Sequence, residues 1–249
     1  MSGHSHARTI KHAKNITDQK RGRMFSKMAR LISVALKEGG PNPETNSRLR
    51  IAIETAKKWN MPKDNIERAI KRGTGGTSEE NLEEVVFEAF GPGGIAIIIE
   101  GITDSKNRTL GEIKQILSQN QGKLAGEGSV KWLFEKRGAI TIKPEDQPKV
   151  KDKDELELTA IESGAEDIYW YDDTLDVYAK PEELETVKQK LEEKEIKVDS
   201  TSVDLVPKEE VSLDDTKKAA CQKLFEALDE NDSVQNIYSN AKLASGERG

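Results

Sequence analysis

The sequence predicts an α+β protein with several domains: a basic N-terminal helical domain followed by two α/β-sandwich, ferredoxin-like domains, the third inserted in the second. Three observations support this fold class. The chain has 249 residues, which is enough for two or three domains. Apolar residues recur at helical intervals before Gly76 and at strand intervals from Leu82 onward. A complete βαββαβ order fits between residues 138 and 206 and leaves one later helix and one later strand over.

The predicted domain boundaries are 1–76 for the helical domain, 77–136 plus 207–249 for the second domain, and 137–206 for the inserted domain. Charged residues make up 34% of the chain and hydrophobic residues 35%, so we expect small apolar cores and wide charged surfaces. The longest aliphatic run, Ile95 to Ile99, is far shorter than the roughly 20 residues of a membrane span, and no signal peptide follows Met1. We therefore expect a cytoplasmic protein without a membrane partner.

Three helices are predicted in the first domain, after a flexible basic arm over residues 2–15. Their predicted limits are Thr17 to Gly39, Asn42 to Trp59 and Pro62 to Gly73, and we expect Gly73 to end the third helix in the left-handed conformation. Each helix has an apolar stripe at three- and four-residue spacing. The stripes are Phe25, Met28, Ala29, Ile32 and Leu36; Leu49, Ala52, Ile53 and Ala56; and Ile66, Ala69 and Ile70.

Basic residues follow the same periodicity on the first helix. Lys20, Arg23, Lys27 and Arg30 are three, four and three residues apart, so they occupy a narrow arc that we expect to face away from the apolar stripe. The third helix has basic residues opposite its apolar side. The predicted nucleic-acid-binding residues, all from the basic part of the chain, are Lys11, Lys14, Lys20, Arg21, Arg23, Lys27, Arg30, Arg68, Lys71 and Arg72.

The second domain is predicted to begin with a hairpin, in which Gly91-Pro92-Gly93-Gly94 joins strands at 85–87 and 95–99. A helix through Leu110 and Leu117 follows, then a glycine-containing loop. Alternating apolar residues at 130, 132 and 134 predict the next strand, which gives a ββαβ order.

The inserted domain is predicted from strands at 139–142, 168–171, 175–178 and 196–206, with helices at 155–163 and 182–193. After Pro207 come a predicted helix at 213–228 and a short strand at 234–238. We expect this helix and strand to return to the second domain and complete the unit that begins at Leu82.

Charge is strongly segregated along the chain. The net charge is −6, but residues 1–76 hold 17 Lys/Arg and six Asp/Glu, a charge of +11, and the remainder has a charge of −17. Such asymmetry indicates a polyanionic partner for the N-terminal part, most simply nucleic acid or an anionic membrane surface. The alternative is that the two parts attract each other within one protein.

Other motifs favour structural roles. Gly91, Gly93 and Ala96 match the pattern G-x-G-x-x-A, but a strand follows where a dinucleotide site requires a helix, so we expect a hairpin. His4, His6 and His12 could chelate a metal adventitiously, and no zinc-type spacing occurs, so no cofactor or metal is predicted. The single cysteine, Cys221, lies at helical spacing among apolar residues and is expected to be a small packed side chain.

The segment from Thr103 to Thr109 is dense in hydrogen-bonding residues before a predicted helix. Capping explains some of these residues, and recognition of a ligand in an interdomain cleft is the alternative. The candidate cleft residues are Asp104, Asn107 and Arg108.

Several blocks, taken in order, resemble the YebC/PmpR family. They are Met1-Ser2-Gly3-His4-Ser5 with Ile10-Lys11, Arg21-Gly22 with Phe25, Asn60-Met61-Pro62-Lys63-Asp64-Asn65-Ile66, Gly91-Pro92-Gly93-Gly94, Thr103-Asp104 with Asn107-Arg108-Thr109, and Gly128-Ser129-Val130 with Trp132 and Phe134. The departures are His6-Ala7 where Lys-Trp is usual, Ser105 where Asn is usual, and Ala125 where Leu precedes Gly126. The resemblance implies three domains with a cleft between them and no catalytic activity.

That family includes bacterial transcriptional regulators and a mitochondrial translational activator of cytochrome c oxidase. The resemblance therefore implies either promoter binding or a translational role at the ribosome. The leading hypothesis is a DNA-binding transcriptional regulator that acts through its basic N-terminal domain and is not an enzyme. The alternative is a translation factor that binds ribosomal RNA through the same cations.

Overall fold

The computed structural model describes residues 18–74, 82–147, 152–171, 173–243 and 247–248. The N-terminal arm, with the predicted contacts Lys11 and Lys14 and the three histidines, lies outside the described residues.

Three helices form the N-terminal domain: α1 (Asp18–Gly39), α2 (Ser47–Lys58) and α3 (Lys63–Thr74). They pack around one apolar core, in which Ile32, Leu49 and Ala56 have no solvent exposure. These residues belong to the predicted apolar stripes, so hydrophobic periodicity locates the core of this domain correctly.

The start of α2 differs from the prediction. Its N-cap is Asn46, whose Oδ1 accepts a hydrogen bond from Leu49 N at 3.0 Å, and not the earlier Asn42-Pro43 pair. The buried Asn46 amide also donates to Ala35 O at 2.7 Å and to Gly40 O at 2.8 Å. A single side chain therefore caps α2 and joins it to the end of α1, and this requirement selects Asn46.

The end of α3 also differs. Gly73 lies inside the helix, which continues to Thr74. A Cβ atom at Gly73 would lie 2.5 Å from Leu36 Cδ1, so glycine here permits close packing of α3 on α1 and does not provide a left-handed cap.

The second domain begins with an antiparallel hairpin in which Phe90 pairs with Ala96. The turn between the strands contains Gly93 and Gly94 with φ angles of 75° and 78°, which confirms the hairpin expected at this motif. The first elements of this domain are β1 (Glu83–Phe90), β2 (Ala96–Thr103), α4 (Lys106–Gln119) and β3 (Lys123–Leu124).

The inserted domain has the predicted βαββαβ order. Its strands pair in the sequence β5-β6-β4-β7, all antiparallel, which is the arrangement of a ferredoxin-like unit. Its elements are β4 (Phe134–Ile142), α5 (Lys153–Ser163), β5 (Asp167–Tyr171), β6 (Thr174–Ala179), α6 (Leu184–Glu193) and β7 (Ser200–Pro207).

The chain then returns to the second domain. Strand β9 pairs with β2 and gives the sheet order β3-β1-β2-β9, while α7 packs its buried Cys221, Leu224 and Phe225 against that sheet. The returning elements are β8 (Val211–Ser212), α7 (Asp215–Asp229), β9 (Val234–Ser239) and β10 (Ala241–Lys242), and a last short strand, β11 (Glu247–Arg248), follows them. The α+β fold with an inserted third unit is thus confirmed.

The elements near the predicted boundaries differ in two places. A short 3-10 turn, Lys131–Leu133, replaces the predicted strand around Trp132, and β4 begins only at Phe134 and runs through the predicted boundary at 136/137. Strand β11 pairs with β5 of the inserted domain, although residues 207–249 were assigned to the second domain. The alternation at 130, 132 and 134 was misleading because Val130 and Phe134 are buried while Trp132 is exposed.

Candidate nucleic-acid interface

Lys27 on α1 does not face solvent as expected. Its side chain is 3% exposed, and its Nζ donates to Asp229 Oδ1 and to Asp229 O, both at 2.8 Å. Asp229 is the last residue of α7, where backbone carbonyls have no partner within the helix and the helix dipole favours a cation. Lys27 therefore binds the C-terminal end of a helix in the second domain.

Arg23 and Arg30 bind the same region. Arg30 Nη1 donates to Ile102 O at 2.8 Å and to Ser233 Oγ at 3.1 Å, and Arg23 Nη1 lies 3.2 Å from Glu230 Oε1. Three of the four cations in the predicted arc thus attach the helical domain to the second domain. For these residues the structure matches the alternative in which the basic and acidic parts attract each other.

A further contact between these domains had no clear signal in the sequence. Arg48 on α2 forms ion pairs with Glu38 of its own domain and with Glu84 on β1. The acidic pair Asp229-Glu230 at the end of α7 was the available signal for the α1 contact, but it is informative only when the ends of α1 and α7 are known to meet.

The other predicted cations that fall within the described residues are at the surface. Lys20 and Arg21 are exposed at the start of α1, and Arg68, Lys71 and Arg72 are exposed on α3. Arg68 donates to Asp64 O at 3.3 Å and to Asn65 Oδ1. Sequence reasoning missed further exposed cations on α2 and α3, namely Arg50, Lys57 and Lys63.

The helical domain carries a large positive charge, only part of which contacts the second domain. Residues 18–74 contain 14 Lys/Arg and six Asp/Glu, a net charge of +8. Four of the cations, Arg23, Lys27, Arg30 and Arg48, contact the second domain, and exposed ones lie on α2, on α3 and at both ends of α1. Arrays of exposed cations of this kind suit the phosphate groups of a polyanion.

The candidate cleft residues form a local network at the start of α4. Arg108 pairs with Asp104 and lies 3.8 Å from Glu112, and the hydrogen bond from Arg108 lowers the pKa of Asp104. Asn107 is exposed. Ser105 stands at the N-cap without a side-chain capping bond, and its backbone N donates to Thr103 Oγ1 at 3.0 Å. These contacts explain part of the dense polar segment as local structure.

A cleft of about 240 Å³ lies elsewhere, between α2 of the helical domain and α6 and β7 of the inserted domain. Its lining includes Trp59, Lys58 and Lys188, with Asp199 and the hydroxyl residues that follow it. Burial lowers the pKa of Lys58, and the charges of Asp199 and Glu54 partly oppose that effect. The predicted residues Asp104, Asn107 and Arg108 do not line this cleft.

Two models of known protein families match this chain. The model for the TACO1/YebC protein N-terminal domain matches residues 5–76, and the model for the TACO1/YebC second and third domain matches residues 82–241. The chain belongs to the TACO1/YebC family. This confirms the resemblance drawn from the sequence blocks.

Relatives in the TACO1/YebC family match over nearly the full length. A protein from Halothermothrix orenii, named "probable transcriptional regulatory protein", is 46% identical over 241 residues, which are 96% of this chain and 94% of the relative. A protein of the same name from Dictyoglomus turgidum is 47% identical over 240 residues, with 96% and 95% covered. The crystal structure of a conserved hypothetical protein from Aquifex aeolicus superposes with a TM-score of 0.84 at 41% identity, covering 94% of this chain and 95% of that one.

Two features of the described residues bear on other classes of function. No group of three or more His, Cys, Asp or Glu side chains in this part of the chain is arranged to hold a metal ion. Among the described helices, none has the length and apolar character needed to cross a membrane.

Proposed function

We propose that this TACO1/YebC protein is a DNA-binding transcriptional regulator, without a catalytic step, that holds nucleic acid through the exposed cations of its helical domain. The proposal is supported by the regulatory names of its relatives and by the charge of the domain. The predicted boundaries 1–76, 77–136 plus 207–249, and 137–206 are kept as part of this proposal.

The observation that carries the proposal is the cationic side of α3. Arg68, Lys71 and Arg72 are exposed on the side of the helix opposite Ile66 and Ala69, which are buried in the domain core. The core therefore holds the helix in place while three cations project outward. Lys20 and Arg21 add exposed positive charge at the start of α1.

Phosphate neutralisation gives the proposed contact a measurable signature. Each cation that neutralises a phosphate releases condensed counterions, so the logarithm of affinity falls with the logarithm of salt concentration by about 0.9 per phosphate on duplex DNA. Such contacts position the protein along the backbone, and reading of sequence requires further contacts with base edges.

The test is a charge reversal on α3. We expect the triple variant R68E/K71E/R72E to bind duplex DNA much more weakly than wild type and to show a flatter salt dependence, measured by fluorescence anisotropy over a salt series. The matched control is K114E/K190E/K223E, which makes the same charge change on exposed lysines of α4, α6 and α7. The control should keep most of the affinity and the slope.

If the two triple variants lose affinity for duplex DNA equally, an interface on α3 is refuted, because net charge alone would then explain binding. A parallel titration with structured ribosomal RNA addresses the translational alternative. Preference for that RNA over duplex DNA at equal salt would contradict the DNA assignment.

A further inference from the structure

One buried carboxylate in the second domain, Glu88, is linked to two exposed aromatic side chains: Phe90 follows it by two residues on β1, and Trp132 belongs to the loop that it binds. Trp132 is 65% exposed and Phe90 is 39% exposed, while Glu88 is 5% exposed. Single exposed apolar residues are common on protein surfaces, so exposure alone indicates nothing. The relevant observations are how the loop of Trp132 is held and which charges lie beside the two rings.

Glu88 fixes the loop that carries Trp132. Its carboxylate accepts hydrogen bonds from the backbone N of Gly128 and Val130, both at 2.6 Å, and of Lys131 at 2.9 Å. Burial opposes ionisation of Glu88, but the three backbone donors outweigh it and lower the pKa of the carboxyl. The loop is thereby tied to β1, two residues from Phe90 on the same face of the strand.

The indole ring is oriented by its own loop. Trp132 Nε1 donates to Ser129 O at 3.0 Å, which satisfies the one polar group of the side chain. A ring held by its edge in this way keeps its exposed surface for stacking, at little further cost in conformational entropy.

Each exposed aromatic has an exposed lysine beside it. Lys131 precedes Trp132 in the same turn, and Lys123 on β3 is the cross-strand partner of Phe90, so these two side chains lie on one face of the sheet. We define the aromatic–lysine surface as Phe90, Lys123, Lys131 and Trp132. Aromatic rings interleaved with cations are the pattern of single-stranded nucleic-acid binding, in which bases stack and lysines contact phosphates.

We propose that the aromatic–lysine surface binds single-stranded nucleic acid, with unpaired bases stacked on Trp132 and Phe90 and phosphates at Lys123 and Lys131. This proposal rests on the proposed nucleic-acid function and adds a second contact that is separate from α3. Glu127, an exposed carboxylate of the same loop, weakens the ionic part of the contact. Stacking therefore contributes the larger share, and binding here depends less on salt than binding at α3 does.

The experiment uses the full chain and fluorescein-labelled oligothymidylate, oligouridylate and a duplex, at low and at high salt. We expect W132A to bind the single strands about tenfold more weakly than wild type, the effect of losing one stacked base, with the loss still present at high salt. W132F should retain most of the affinity because its ring still stacks. The matched control is L158A, which removes an exposed apolar side chain, 58% exposed, from α5 of the inserted domain.

The outcomes separate this proposal from the function proposed above. Single-strand affinity unchanged in W132A would overturn the stacking contact, even if the α3 reversal abolishes duplex binding. A loss in W132A with rescue in W132F supports it, even if the α3 reversal has no effect and the proposed function falls. The proposal would be overturned if the protein binds only the duplex or binds neither nucleic acid. It would also be overturned if L158A loses as much single-strand affinity as W132A. The preferred single strand identifies the source as DNA or RNA.

Discussion

Two sets of cations in the helical domain look alike in sequence but have different surroundings. Arg23, Lys27 and Arg30 on α1 contact the second domain, whereas Arg68, Lys71 and Arg72 on α3 face solvent. Spacing along a helix determines which side chains share a face. The tertiary partner of that face decides whether its cations stabilise the fold or remain available to a ligand.

The positions of the α1 cations are energetically favourable because these cations lie at the C-terminal end of α7. Burial of an ammonium group is costly unless the charge is paired and hydrogen-bonded. Lys27 has both a carboxylate and a backbone carbonyl at the C-terminus of α7. Lys27 is therefore the cation whose removal should cost the most stability.

The largest effect is expected at Lys27. Lys27→Met removes one partner of a buried pair and should lower the free energy of unfolding by about 3 kcal/mol, less than for a fully buried pair because Asp229 is 22% exposed. Lys71→Met on α3 should change it by less than about 0.5 kcal/mol. Urea unfolding measures the difference, and faster amide exchange at residues 229–233 locates it. Similar free energies of unfolding for Lys27→Met and Lys71→Met would show that the cations of α1 and α3 do not differ in their contribution to stability.

The surface that receives Arg30 provides the second test. A Cβ at Gly101 would lie 2.7 Å from Ser233 O, so Gly101→Ala must displace the segment that holds Arg30 and should destabilise the protein by about 2 kcal/mol. Gly111→Ala on α4 meets no atom within 4 Å and should stabilise by about 0.5 kcal/mol through helix propensity. Thermal melting of both variants gives the comparison, and a Gly101→Ala protein as stable as wild type contradicts the close approach.

Glu88 is a buried anion and, like the buried cation Lys27, it is stabilised by hydrogen bonds to the charged group. Its folded-state pKa is lowered from the ordinary 4.5, so its stabilising effect is present above that pH and is lost as the pH falls through the folded value. Glu88→Gln should cost about 1.5 kcal/mol at neutral pH, because one amide oxygen replaces an ionised acceptor of three hydrogen bonds. The difference in the free energy of unfolding between wild type and Glu88→Gln, measured with urea, should decrease as the pH is lowered. A gap that stays constant with pH would show that charge at Glu88 is unimportant.

The smallest effects distinguish Arg23 from Lys71. Arg23 is 29% exposed and pairs with the exposed Glu230, so Arg23→Ala should cost less than about 1 kcal/mol of stability. Lys71→Ala should leave stability unchanged but reduce the salt slope of DNA binding by about 0.9, the loss of one phosphate contact. Anisotropy titrations of the two variants test this assignment, and equal slopes would contradict it.

Local patterns were sufficient for most of the fold. The stripe through Ile32 and Leu36 placed α1, and the glycines of residues 91–94 placed the first hairpin. Sequence patterns failed where the role of a residue depends on a neighbouring helix. Asn46 caps α2 while binding Ala35 O, and Gly73 is needed for contact with Leu36, so neither could be recognised without knowing that the helices meet.

The candidate interface was less predictable than the fold. Helical periodicity correctly grouped Arg23, Lys27 and Arg30, but it contains no information about the distant acceptors Asp229 and Ser233, which lie some two hundred residues away along the chain. The prediction for α3 needed only local information, because no distant partner in the described part of the chain contacts Arg68, Lys71 or Arg72. The exposure of Trp132 was also hidden, since alternation with buried Val130 and Phe134 mimics a strand.

The inserted domain is joined to the rest of the protein mainly by two adjacent strands, with the short pairing of β11 on β5 as a further contact. Phe134 at the start of β4 is paired with Pro207 at the end of β7, so the chain enters and leaves through one ladder of hydrogen bonds. A single connecting segment can swivel about its backbone bonds, but two bonded strands cannot turn independently. We therefore expect the inserted domain to move chiefly by bending of this ribbon and not by rotation about a single linker.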